Sequence, residues 1–203
     1  IVDKMGTLEL IYGCMFSGKT SKLIDRYNEL KDKHKCLAVN YIFDKRYTNG
    51  NKIVSHNKVS IDCVCIQDLE ELTSDLDKFN EAEYIFINEA QFFKGLRNWV
   101  LYVKKKLKKN LILCGLDLDF KREKFGEMMD LTIVATKTFR MLGTCDKCEN
   151  ASLYTHRLVD NEAQVLIGAS EYIPLCENCW NLLNKKGNGT SLLKRTNDSH
   201  IIS

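Results

Sequence analysis

A chain of 203 residues with 44% hydrophobic and 28% charged side chains is large enough for one well-cored domain with a small appendage, and its balance excludes a disordered or fibrous protein. The formal charge of +3 excludes a body-wide basic face for nucleic acid, because Lys185, Lys186, Lys194 and Arg195 against Asp198 supply all of it. No stretch reaches the roughly 18 unbroken apolar residues of a membrane helix and residues 1–10 show no basic-then-apolar leader, so a cytoplasmic protein without membrane or nucleic-acid partners is expected.

Residues 8–12 form a short apolar run ending at Gly13, and beyond Gly18 the residues Leu23, Ile24, Tyr27 and Leu30 recur at helical spacing. Strand, glycine-bounded loop and helix are predicted there. Residues 36–42 read as a buried strand, and the polar 43–55, with Asn49, Gly50 and Asn51, as a mobile loop. Residues 59–66 alternate as a strand does, and 68–79 carry Leu69, Leu72, Leu76 and Phe79 at helical spacing. A strand over 84–87, a helix over 99–107 and strands over 111–114 and 131–135 complete the series. Lys104, Lys105, Lys106, Lys108 and Lys109 read as a solvated helix face. Strands alternating with helices predict an α/β protein with a mainly parallel sheet covered by helices on both faces. After Gly143 two cysteine pairs bracket a segment without a long helix, and the Lys, Gly, Asn, Ser and Thr of the last residues predict a disordered tail. The division expected is 1–140, 141–183 and 184–203.

Gly13-Cys14-Met15-Phe16-Ser17-Gly18-Lys19-Thr20 matches G-x-x-x-x-G-K-[ST] between a predicted strand and helix, the context a phosphate-binding loop requires. Small residues let backbone N–H groups turn toward phosphate oxygens, and the helix N-terminus adds partial positive charge. Lys19 is expected on the β and γ phosphates of ATP and the Thr20 hydroxyl on Mg²⁺. Glu89 follows the apolar strand end at 85–87, where an acid can take the proton of an attacking hydroxyl. Its bland alternative is a helix cap.

Cys145-x-x-Cys148 and Cys176-x-x-Cys179 have the spacing of a closed tetrahedral Cys₄ site, which predicts structural zinc. Cys14, Cys36, Cys63, Cys65 and Cys114 are expected as buried small hydrophobes, and His34, His56, His156 and His200 as ordinary surface or loop histidines. Spacing leaves Phe92, Phe93, Phe120 and Phe125 equally assignable to core or site. From these motifs a phosphotransferase stands first, and a nucleic-acid-dependent ATPase with a zinc ribbon is the alternative that the neutral body and short chain disfavour.

The ensemble resembles the thymidine kinases of the cellular type with a zinc lasso (type II), from about Gly6 to Trp180. The resemblance is carried by Gly13 to Thr20, by Asp44-Lys45-Arg46-Tyr47 and by Ile87-Asn88-Glu89-Ala90-Gln91-Phe92-Phe93. It continues through Leu116-Asp117-Leu118-Asp119-Phe120 with Phe125-Gly126, through Tyr154-Thr155-x-Arg157-Leu158, and through Gly168 to Tyr172 between the cysteine pairs. It implies transfer of the γ-phosphoryl of ATP to the 5′-hydroxyl of thymidine, giving dTMP, and to that of deoxyuridine. It also implies that Glu89 is the general base, that Arg46 and Lys19 steady the phosphoryl group, and that Gly13, Met15, Ser17, Gly18, Thr20, Asp44, Asn88 and Gln91 lie with the nucleotide. The lasso would hold the base edge through backbone near Leu166, Ile167 and Gly168. Met15, Leu116, Thr155 and Tyr172 would surround the 5-methyl group, and Phe92, Phe120 and Phe125 would wall the ring. A homotetramer and inhibition by dTTP are implied as well. The main departure is Asn88, where the family has an Asp expected to hold Mg²⁺ through water; a neutral amide weakens that hold.

Overall fold

The computed structural model describes residues 5–43, 51–75 and 77–184. β1 (Leu8–Tyr12) passes through the glycine loop into α1 (Lys19–Leu30), and β2 (Cys36–Tyr41) follows. A hairpin of β3 (Lys52–Val54) and β4 (Ser60–Asp62) leads to β5 (Val64–Ile66) and two short helices, α2 (Glu70–Asp75) and α3 (Asp77–Glu81). Then come β6 (Tyr84–Ile87), α4 (Leu96–Lys105), β7 (Asn110–Gly115) and β8 (Lys137–Arg140), with 3₁₀ turns at Ala90–Phe92 and Met128–Val134.

β5, β2, β6, β7, β1 and β8 hydrogen-bond in that order into one all-parallel sheet. Side chains alternate across it. Leu8, Leu10, Leu37, Val39, Ile85, Ile87, Leu111 and Leu113 meet Leu69, just ahead of α2, and α2, α3 and α4 through Leu72, Phe79, Trp99, Val100 and Val103. Ile11, Ala38, Phe86, Ile112 and Cys114 face the other way, onto Leu23 and Ile24 of α1 and Ile53 and Ile61 of the hairpin. Both faces are therefore apolar, which is why these strands read as continuous hydrophobic runs. Because all six strands run the same way, the loops after β1, β6 and β7 emerge at one edge, where ligands of open parallel sheets bind.

Several expectations need correction. Residues 59–66 are two strands, not one: at Cys63, whose N–H bonds Asn51 O at 2.9 Å, the chain leaves the hairpin and enters the main sheet. The loop expected over 43–55 contains β3, and its residues 44–50 lie outside the described residues, as does the predicted tail from 185 onward. Residues 131–135 form no strand. Met128 and Leu131 are buried at a spacing of three while Ile133 is 90% exposed, the pattern of a 3₁₀ turn, and the sheet ends instead in the polar edge strand β8. The lysine run is not purely solvated either. Lys109 Nζ donates to Asn80 O at 3.0 Å and Ala82 O at 2.8 Å at the end of α3, and Lys104 Nζ donates to Val134 O at 2.9 Å. Of the five single cysteines, Cys14 and Cys114 are buried, whereas Cys36, Cys63 and Cys65 are half-exposed.

Beyond β8 the chain forms β9 (Gly143–Thr144) with β10 (Ala151–Ser152), then β11 (Tyr154–Arg157) with β12 (Tyr172–Leu175), both pairs antiparallel, and α5 (Glu177–Asn184). Among the described residues no helix is long and apolar enough to cross a membrane.

Candidate active site

The loop after β1 is shaped by two constraints. A Cβ on Gly13 would lie 2.2 Å from Met141 O, and Phe16 and Gly18 take left-handed φ values of 61° and 82°. Within the loop Ser17 Oγ donates to Cys14 O at 2.8 Å and the buried Lys19 Nζ to the same carbonyl at 2.6 Å. α1 starts at Gly18 with no side-chain cap, so its first amides are left to an anionic ligand. A cleft with about 550 Å³ of empty volume opens beside the loop, lined by Met15, Phe16, Ser17, Gly18, Lys19, Thr20, Ser21, Val54, His56, Glu89 and Leu116.

Glu89 leaves β6 in the left-handed conformation, φ 55° and ψ 40°, which is uncommon for a residue with a Cβ. Its carboxylate is buried and held: Gln91 Nε2 donates to Glu89 Oε2 at 2.6 Å, while Gln91 Oε1 accepts the Leu116 N–H at 3.0 Å. The clamp fits because neighbouring glycines give it room. A Cβ on Gly115 would stand 2.5 Å from Gln91 Oε1, and one on Gly126, at φ 60°, 2.1 Å from Gln91 O.

A second pocket, with about 620 Å³ of empty volume, adjoins the first. Met15, Phe92, Leu116, Phe120, Phe125, Thr155, Leu166, Ile167, Gly168 and Tyr172 line it together, joined by Tyr41, Phe43, Leu118, Asp119, Gln164, Val165 and Glu89. Phe92 stacks on Tyr41 at 5.0 Å and meets Phe125 edge-on at 5.4 Å. Phe93 turns the other way and is core, 2% exposed. Met15, Glu89 and Leu116 line both pockets, so the acid stands at the passage between an apolar chamber and the phosphate loop.

The other expected nucleotide residues are placed differently. Gly13 forms the base of the loop and, with Gln91, lines neither pocket. Asn88 also lies off both walls; its Nδ2 donates to Asn40 Oδ1 at 3.0 Å, both residues are buried, and Asn88 Oδ1 has no hydrogen-bond partner. Asp44 and Arg46 lie outside the described residues.

The roof of the apolar pocket is the segment between β11 and β12, and one residue that sequence reasoning left without a role organises it. Arg157 is 6% exposed and lies 3.7 Å over the Phe120 ring. It donates to Asn161 O at 2.6 Å, to Ala163 O, to Gln164 O at 3.1 Å and to Tyr172 OH at 2.7 Å, and Tyr172 OH donates onward to Leu166 O at 2.9 Å. Its place in the Tyr154-Thr155-x-Arg157-Leu158 motif was the signal the sequence offered. Thr155 Oγ1 accepts the Met15 N–H at 3.0 Å, tying β11 to the phosphate loop. Arg157→Met is expected to raise the KM for the pocket's substrate about 10-fold, because several roof carbonyls lose charge-assisted donors. Steady-state kinetics with each substrate varied in turn checks this, the KM for the nucleotide staying within about twofold.

Cys145, Cys148, Cys176 and Cys179 bring their four sulfurs within 4.8 Å of one another. Zn–S bonds of about 2.3 Å in a tetrahedron separate sulfurs by about 3.8 Å, so the cluster fits a structural zinc with little movement. Burial opposes ionisation of Cys145, yet backbone hydrogen bonds at Cys176, Lys147 and Cys148 outweigh it and bring this thiol down to about 6. Side-chain hydrogen bonds with Cys148 and Cys176 push Cys179 up to about 12. Four adjacent sulfurs thus ionise together only around a cation.

Comparison with known proteins agrees with this geometry. The family model described as thymidine kinase matches residues 6–180. A thymidine kinase of Bacteroides fragilis is 35% identical over 182 residues, 87% of this chain and 88% of the relative. Thymidine kinase 1 of Dictyostelium discoideum is 30% identical over 203 residues, 96% of this chain and 86% of the relative. Thymidine kinase a of Arabidopsis thaliana is 30% identical over 175 residues, 84% and 73% of the two chains. With the phosphate loop, the acid at the passage and the roofed apolar pocket in place, the chain belongs to the thymidine kinase family.

Proposed function

We propose that the chain phosphorylates thymidine at its 5′-hydroxyl with the γ-phosphoryl group of ATP, giving dTMP and ADP, with deoxyuridine as a second acceptor. The observation that carries this is the position of Glu89 on the wall of both pockets. A base in the apolar chamber places its sugar toward the passage, where the carboxylate can accept the hydroxyl proton as the phosphoryl group arrives. Lys19 leaves Cys14 O for the β and γ phosphates, and the loop amides neutralise charge on the same oxygens. The Thr20 hydroxyl and the phosphates would hold Mg²⁺, which supplies charge neutralisation at the transferring group. Asn88 adds no charge to that hold, since its carboxamide is neutral. Arg46 and Asp44 are assigned to the transferring group and the nucleotide by resemblance.

In the chamber, Phe92, Phe120 and Phe125 sandwich the ring, Met15, Leu116, Thr155 and Tyr172 surround the 5-methyl group, and the backbone of Leu166 to Gly168 meets the polar base edge. Backbone partners suit a buried base because they satisfy its hydrogen bonds without side-chain entropy. Residues 141–183 act as the zinc-based lasso on the body of residues 1–140. The end product dTTP fits both pockets at once and inhibits; a homotetramer in the cytoplasm completes the reading. ADP release assayed with thymidine, deoxycytidine and single-stranded DNA tests it. Release that depends on thymidine alone is expected, and release driven by DNA would overturn it.

A further inference from the structure

The hairpin of β3 and β4 stands outside the six-stranded sheet yet is fixed to it. Ile53 and Ile61 are buried with Ile11, Leu23 and Ile24 of β1 and α1. The tip is locked by its own hydrogen bonds. Ser55 N donates to Val59 O at 2.9 Å, Lys58 N donates to Ser55 O at 2.9 Å, and Val59 N donates to Ser55 Oγ at 3.2 Å. Ser55 is 2% exposed and Lys58 closes the turn in the left-handed region, φ 62°. This turn carries His56, itself exposed, to the wall of the phosphate cleft together with Val54.

Charge makes that placement consequential. Among the described residues that line the cleft, Lys19 and His56 are the two side chains able to bear positive charge. A nucleoside triphosphate brings several negative charges and many acceptor oxygens, and beside Lys19, the Mg²⁺ and the Arg46 proposed above, a ring N–H from a fixed turn gives a directed donor without the rotamer entropy of a second lysine. The hairpin is anchored on the same α1 whose N-terminus frames the phosphate loop, so donor and loop are held in one frame.

We propose that His56 is a further phosphate-binding residue, donating from its ring to the triphosphate of ATP at the open side of the cleft. The assignment rests on the kinase reading for its role in turnover but not for its test. Calorimetric binding of inorganic tripolyphosphate needs no turnover, and His56→Ala is expected to weaken it about 10-fold. In the kinase assay the same variant should lower kcat/KM for ATP by a similar factor, with the KM for thymidine and the melting temperature unchanged because the ring is exposed. His56→Gln, which keeps an N–H donor but not the charge, should recover part of the loss. Tripolyphosphate binding equal to that of the parent protein, or a His56→Gln variant as weak as His56→Ala, would overturn the proposal. A parent protein that binds tripolyphosphate through His56 but releases no ADP with thymidine would count against the kinase reading alone.

Discussion

Replacing Glu89 with Gln is expected to leave thymidine and ATP bound and to reduce turnover by about 100-fold or more, the scale of a positioned base. The substitution isolates the proton. Gln has the size of Glu, its amide oxygen still accepts from Gln91 Nε2, and the clamp through Gln91 to the Leu116 amide stays closed. The strained turn at φ 55° is held by that clamp, so its shape survives as well. What disappears is the lone pair able to take a hydroxyl proton in a site where the rest of catalysis is positioning and electrostatics. Calorimetric titration should give dissociation constants within about threefold of the parent's, alongside the collapsed rate. A variant that turns over at the parental rate would remove Glu89 from the base role and leave it a mere strap for the β6 end.

The loop from Gly13 to Thr20 was legible because its constraints are local: eight residues carrying glycine, lysine and threonine at fixed spacing between a strand and a helix admit few other arrangements. The central strands were legible for a similar reason, since burial on both faces demands continuous apolar runs. Edges were not. β8 has one buried neighbour and solvent on its far side, so polar Lys137 and Arg140 serve there, and the apolar run before it drew the strand to the wrong place. Phe92 and Phe93 could not be separated by spacing because the 3₁₀ turn that splits them toward pocket and core follows from Glu89's left-handed backbone, which no periodicity encodes. The clamp at Gln91 and the guanidinium hub at Arg157 are long-range contacts with Leu116 and the roof carbonyls, visible only once the chain is folded.

Removal of zinc should have the other large effect, and the path by which it reaches the apolar pocket can be traced. α5 carries Cys179 on one side and Glu177, Trp180 and Asn181 around Arg122 on the other. The Arg122 guanidinium lies 4.0 Å over the Tyr154 ring and 4.8 Å from that of Trp180, and donates to Asn181 Oδ1 and Tyr154 OH at 3.2 Å each. Arg122 in turn belongs to the turn built on Asp119, whose carboxylate accepts the Lys121 and Glu123 amides and Gln164 Nε2, and this turn carries Phe120 on the pocket wall. Metal ligation energy is folding energy for so small a unit. Loss of the metal therefore frees α5, then the stacked Arg122, then the wall and roof of the pocket, while the parallel sheet keeps its own two-sided core. One zinc per chain is expected in freshly prepared protein. Chelation, or Cys148→Ser, should lower the melting temperature, release amide protection over residues 143–184 but not over β1, β6 and β7, and raise the KM for thymidine at least 10-fold with a smaller change for ATP. Metal analysis without zinc, or an intact thymidine KM after its removal, would break the link between the cysteine cluster and the pocket.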